Sequence, residues 1–198
     1  SVPDGRFLPL TIHYTLARLP EKPMTPRYAD DRVGYFLSAL KDFSDTDTTF
    51  FVRMYDRWRL EKGEKVGQMW NPKQPITYYL DPNIPDEFRD SMKEGVLAWN
   101  EAFEDAGWLN AIQVKDLPDG ADPADIRYAT LRWNVSDQPS FGAIGPHIRD
   151  PRTGEILDAD ILFEAEFILA YKNAWRNIVD PVSGAAAFLQ TIGHRTTT

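Results

Sequence analysis

The sequence predicts an α+β fold: a twisted, mixed β-sheet with one long helix packed on it, preceded by a β-rich N-terminal region. Three observations predict it. Residues 75–81, Pro-Ile-Thr-Tyr-Tyr-Leu-Asp, are a short run of β-formers bounded by turn residues. Residues 86–106 place Phe88, Met92, Val96, Trp99 and Phe103 at helical spacing, one apolar face of an α-helix. Several further β-rich runs follow this helix, between 111 and 163, before a second helical run.

Taken in order, residues 7–16 alternate and are rich in β-formers, and a passage with Pro20, Pro23 and Pro26 follows. Residues 32–37 and 48–54 are two more strand candidates, and a charged turn at Gly63 closes a β-rich unit over 1–68 that packs on a second unit over 69–198. After the strand at 75–81, Pro82, Asn83 and Pro85 break the chain and Pro85 enters the first helical turn. Asp86 and Glu87 then put negative charge at the positive end of the helix, and Gly107 stops it. Some 20 residues at about 1.5 Å each make a rod of about 30 Å, with Trp99 in its buried face. Strand candidates at 111–115, 126–133, 142–148 and 156–163 follow, with a turn at 150–155 and a second helix over 165–179.

Composition narrows the function classes. The chain has 198 residues, of which 42% are hydrophobic and 26% charged, a folded globular profile. It has no Cys, which removes disulfides, thiolate nucleophiles and Cys-based zinc sites together. A net charge of −8 opposes nucleic-acid binding, which needs a basic face. No apolar run approaches the ~20 residues that span a bilayer. The first residue is Ser1 and no signal peptide is visible, so either a leader was removed or the chain is an internal piece of something longer, the reading preferred here.

Four groups of residues invite a chemical reading. Asp158, Asp160 and Glu164 share one face if 158–164 is a single strand, and such carboxylates suit a solvated face, cation binding or glycosidic acid–base work. His13, His147 and His194 are far apart in sequence and form no local metal motif. Gly142, Ala143, Ile144 and Gly145 lie in a Gly-rich strand ending at Pro146. They mark either an ordinary kinked edge or an edge that pairs with an extended peptide. Trp58, Trp70, Trp99, Trp108, Trp133 and Trp175 are packing residues or, in part, a sugar platform.

The order of elements resembles the upper, N-terminal subdomain of metzincin zinc peptidases. It is carried by Ile76-Thr77-Tyr78, the helix with Trp99, Ala124-Asp125-Ile126, Gly142-Ala143-Ile144 and the acidic run Asp158–Glu164. A closer resemblance, over nearly the whole chain, is to large bacterial zinc-dependent metalloproteases often described through domains of unknown function. Residues 26–36, Pro-Arg-Tyr-Ala-Asp-Asp-Arg-Val-Gly-Tyr-Phe, and 136–142, Ser-Asp-Gln-Pro-Ser-Phe-Gly, carry it.

The resemblance implies a secreted or periplasmic parent that binds zinc and cleaves peptides. The family's His-Glu-x-x-His-x-x-Gly-x-x-His motif is absent from this sequence, so no catalytic or metal-binding residue carries over and no cofactor is expected in the chain itself. What carries over is the edge at Gly142, Ala143, Ile144 and Gly145, which by resemblance lines the upper rim of the cleft and offers main-chain groups to substrate. Two alternatives stand beside this: a non-catalytic protein- or glycan-binding module, and a carbohydrate-active hydrolase using Asp158, Asp160 or Glu164.

Overall fold

The computed structural model describes residues 12, 14–44, 50–136, 139 and 141–178. Four strands come first: β1 (Leu37–Lys41), β2 (Phe51–Tyr55), β3 (Lys62–Val66) and β4 (Met69–Pro72). Then come β5 (Ile76–Leu80), α1 (Asp86–Leu97), α2 (Trp99–Asp105), β6 (Ile112–Asp116) and β7 (Ala129–Asn134). The last five are β8 (Ala143–Ile144), β9 (His147–Asp150), β10 (Glu155–Ala159), β11 (Ile161–Glu164) and α3 (Ala165–Ile178). The expected α+β class holds.

The main sheet has five strands in the order β6-β5-β7-β11-β8. Strands β6, β5, β7 and β11 run parallel, and β8 joins β11 antiparallel at one edge. Alternation along β5 buries Ile76, Tyr78 and Leu80, and these join Ile84, Ile112, Ala129 and Leu131 in one core. Phe88, Met92, Val96 and Phe103 of the helical stripe pack against that core.

The rod expected over 86–106 is interrupted at Ala98, which separates α1 from α2. Two residues later, the Asn100 side chain accepts the Ile112 N–H and donates to the Ile112 carbonyl, both at 3.0 Å. Its amide thus completes the open edge of β6 as another strand residue would. Trp99 is a correction: it is 63% exposed, at the mouth of an apolar groove between helix and sheet, and outside the core. The groove, of about 520 Å³, is also lined by Trp58, Met92, Val96, Ile161 and Phe163. Gly107 ends α2 as expected, with φ +87° just past the helix.

Other elements shift. Of the run expected over 7–16, Ile12 and residues 14–16 are described and are not strand; the remainder lies outside the described residues. Leu37 alone of 32–37 is in a strand, and β1 pairs antiparallel with β2. The β3–β4 hairpin was not anticipated, and Gly67, with φ +62°, sits in the turn that contains the expected 68/69 boundary. The 142–148 run resolves into β8 and β9, and the 156–163 run into β10 and β11, which belong to different sheets.

The N-terminal region is bolted to the β9–β10 hairpin. Arg59 grips Glu155 through two bonds, Nε to Oε1 at 2.7 Å and Nη2 to Oε2 at 2.6 Å. The Arg57 N–H donates to the Gly154 carbonyl and the Arg57 carbonyl accepts from Ile156, both at 2.9 Å. Among the described residues the carbonyls of the Pro-rich passage have no ladder partner, and arginines bond several of them. Arg152 bonds the Pro20 carbonyl at 2.9 Å, Arg59 that of Lys22 at 2.8 Å and Arg57 that of Thr25 at 2.7 Å.

Candidate peptide-binding edge

The Gly-rich run forms the outer edge of the main sheet. Ala143 faces Phe163 and Ile144 faces Leu162 across the antiparallel β8–β11 pair. The Glu164 N–H donates to the Gly142 carbonyl at 2.9 Å, which makes Gly142–Glu164 a hydrogen-bonded pair. Antiparallel pairs alternate, so Ile144 also turns its main chain inward, while Ala143 and Gly145 turn theirs to the open edge. Pro146 follows and donates nothing, which limits the edge on that side. A Cβ on Gly142 would collide with the Phe167 ring of α3, so glycine lets the helix close over the start of β8. Gly145 is not so constrained: its nearest neighbour to a Cβ is the Asp160 carbonyl at 3.8 Å. Ser140, which opens the run, lies outside the described residues.

The acidic residues are not one solvated face. A bulge falls between Ile156 and Asp158, β10 ends at Ala159, and the chain then enters the main sheet as β11. Asp160, at the crossing, accepts the Thr130 N–H at 2.9 Å and its hydroxyl at 2.7 Å, with Arg132 at 3.5 Å. It closes the ladder where β11 meets β7. Glu164 is 1% exposed and accepts from Asn134 and from Ser136, the latter at 2.9 Å, while its Oε2 is buried without a hydrogen-bond partner. Asp158 is 7% exposed and its Oδ1 is likewise unpartnered. Burial, and then the charge of Asp160, push its carboxyl up to about 7. The neighbouring Tyr78 hydroxyl is pushed up to about 12, by burial first and then by Asp158 and Asp160.

A cluster the sequence did not disclose joins Ser38, Asp56, His147 and Arg149. The Ser38 hydroxyl donates to Asp56 Oδ1 at 2.5 Å, and His147 Nε2 lies 2.9 Å from Asp56 Oδ2. Arg149 donates to the Ser38 hydroxyl and stands 3.6 Å from Asp56 Oδ2. Asp56 lies between serine and histidine, so His147 bonds the carboxylate and not the hydroxyl, unlike the serine–histidine pair of nucleophilic catalysis. The cluster ties β1 and the end of β2 to β9 across 91 to 111 residues of chain, which no local pattern encodes.

His13 and His194 lie outside the described residues. Among the described residues no group of three or more His, Cys, Asp or Glu is placed to hold a metal ion, and His147 is engaged by Asp56. They therefore do not fit a zinc centre. No helix among them is long and apolar enough to cross a membrane. The tryptophans are dispersed: Trp58 meets Tyr78 edge-on, Trp133 stacks on Phe88 at 5.3 Å, and Lys62 and Lys65 lie over Trp70.

Fold and site together define an α+β protein in whose five-stranded sheet the antiparallel edge strand β8 has no outer partner among the described residues. Comparison with protein families adds a match over residues 5–63 to a domain of unknown function (DUF5117), within the β-rich N-terminal region. No curated protein matches the chain, and no solved structure does.

Proposed function

We propose that this chain supplies the upper rim of the substrate cleft in a secreted or periplasmic zinc metallopeptidase of the metzincin-like type, with β8 pairing antiparallel to extended peptide. The carrying observation is the edge of β8, unpaired among the described residues, where the main-chain groups of Ala143 and Gly145 face outward, away from β11. An extended chain laid there gains main-chain hydrogen bonds that are independent of its sequence. The apolar groove between helix and sheet, with Trp99 at its mouth, supports the same reading, because a core open on one side suits one part of a larger domain. In this reading zinc and the general base come from other parts of the parent enzyme, and the chain alone does not cleave peptides. The glycosidase alternative gains no support, since Asp158 and Glu164 are buried and Asp160 is bonded to Thr130.

The test is a titration of the ¹⁵N-labelled chain with a peptic digest of casein. Amide shifts centred on Ala143 and Gly145 are expected, with the core strands unmoved. Shifts confined to other surfaces, or none at millimolar peptide, would remove the edge from this role.

A further inference from the structure

A second cavity, of about 410 Å³, lies far in sequence from β8 and inside the stretch that matches the family model. Arg27, Arg57, Tyr28, Tyr35, Tyr55 and Val33 line it. Asp30 also borders it, but its carboxylate is occupied by Arg32, with Nε at 2.8 Å from Oδ1 and Nη2 at 2.5 Å from Oδ2. No carboxylate among the described residues bonds Arg27 or Arg57, and Glu155, the acid nearest in effect to Arg57, is gripped by Arg59. The cavity thus concentrates two guanidinium groups that no carboxylate among the described residues bonds, in a protein of net charge −8.

Arg57 is incompletely satisfied. Its Nη2 donates to the Thr25 carbonyl at 2.7 Å, but its Nε is buried without an acceptor. Burial first, and then the positive charge of Arg27, lower its affinity for its proton. An anion bound between the two guanidinium groups would offset their mutual repulsion.

The aromatic wall is set in place independently. The Tyr55 hydroxyl donates to the Asp30 carbonyl at 2.8 Å and accepts the Asp30 N–H at 2.7 Å, which fixes the ring. The Tyr35 ring sits 5.3 Å from it at 58°, forming a corner, and both Tyr28 and Tyr35 are about two-thirds exposed. Such rings offer faces for a flat group, and the volume lies in the range of small-molecule sites.

The geometry points to a binding site for a small aryl oxyanion, an aromatic ring carrying a carboxylate or a phosphate, with the anion on Arg27 and Arg57 and the ring against the exposed Tyr35. This site does not depend on the peptidase reading.

The test is a titration of the whole chain, followed by the backbone amides of residues 27–35 and 53–57, with benzoate, phenyl phosphate, phenol and inorganic phosphate. The two aryl oxyanions distinguish carboxylate from phosphate as the preferred head group; phenol and inorganic phosphate separate ring from charge. At least one aryl oxyanion is expected to bind saturably, at least tenfold tighter than phenol or inorganic phosphate. Arg27→Gln, whose side chain makes no hydrogen bond among the described residues, should fold normally by circular dichroism and weaken binding at least tenfold. Tyr35→Leu should weaken the aryl ligands and leave inorganic phosphate unchanged. Absence of saturable binding by both aryl oxyanions overturns the proposal. So does inorganic phosphate binding as tightly as phenyl phosphate, or unaltered binding in a folded Arg27→Gln variant.

Discussion

Asp158→Asn should make the chain more stable at neutral pH and leave it unchanged in acid. Asp158 is buried, one of its oxygens has no partner, and its carboxyl titrates at about 7 against an ordinary 3.8. Between those values the folded protein holds a proton that the unfolded chain releases, so this residue lowers stability as pH rises from about 4 to 7. The gap corresponds to about 4 kcal/mol at neutral pH. Asparagine has the shape of the protonated acid and no charge to desolvate. The difference between variant and parent should therefore be near zero at pH 3.5 and grow to about 4 kcal/mol by pH 7.5, or about 8–16 °C in Tm for a chain of this size. Taking the difference is essential, because Asp150 contributes with the opposite sign. The Arg152 guanidinium holds the Asp150 carboxyl below its ordinary range, and that stabilisation is lost as pH falls through its folded value. Urea unfolding of both proteins across this pH range is the assay. Parallel curves would refute the buried, protonated assignment of Asp158.

Three further outcomes follow from the packing and the site. Arg59→Met leaves the buried Glu155 carboxylate without its two-bond partner, and a loss of about 3 kcal/mol is expected by urea unfolding, largely recovered when Glu155→Leu is added. Gly154→Ala places a Cβ against the Tyr55 carbonyl at a φ of +71°, so a loss of at least about 2 kcal/mol is expected, read from the same curves. Elemental analysis of the purified chain should find zinc well below one per molecule, and casein cleavage should be absent; stoichiometric zinc, or cleavage abolished by a chelator, would contradict this.

Much of the fold could be read locally, because single elements carry their own patterns. The β5 alternation, the Pro85–Asp86 start of α1, the Gly107 stop and the turn at 150–155 all lie in a few adjacent residues. Trp99 kept the helical period yet sits exposed, since period reports a face and not what covers it. The acidic run failed for a related reason. Its alternation assumed one continuous strand, and the transfer between sheets at Asp160 is decided by β7, about 30 residues earlier. The Asp56–His147 pair and the Arg59–Glu155 clamp were illegible because their partners lie 91 and 96 residues apart. The edge strand was legible as Gly and Pro in a strand pattern, but which of its residues face outward needed the Glu164–Gly142 bond.

That outward register gives the most direct test of the proposed rim. Ala143→Pro removes an outward N–H and puts a ring in the path of a pairing chain, while the inward bonds at Gly142 and Ile144 to β11 remain. A lost main-chain bond of about 1 kcal/mol together with the steric block should weaken peptide binding about tenfold or more. The measurement is the Gly145 amide of wild type and Ala143→Pro, titrated with the casein digest. A saturable shift is expected in the wild type and its loss in a folded Ala143→Pro variant. The same shift at the same peptide concentration in both proteins would contradict it.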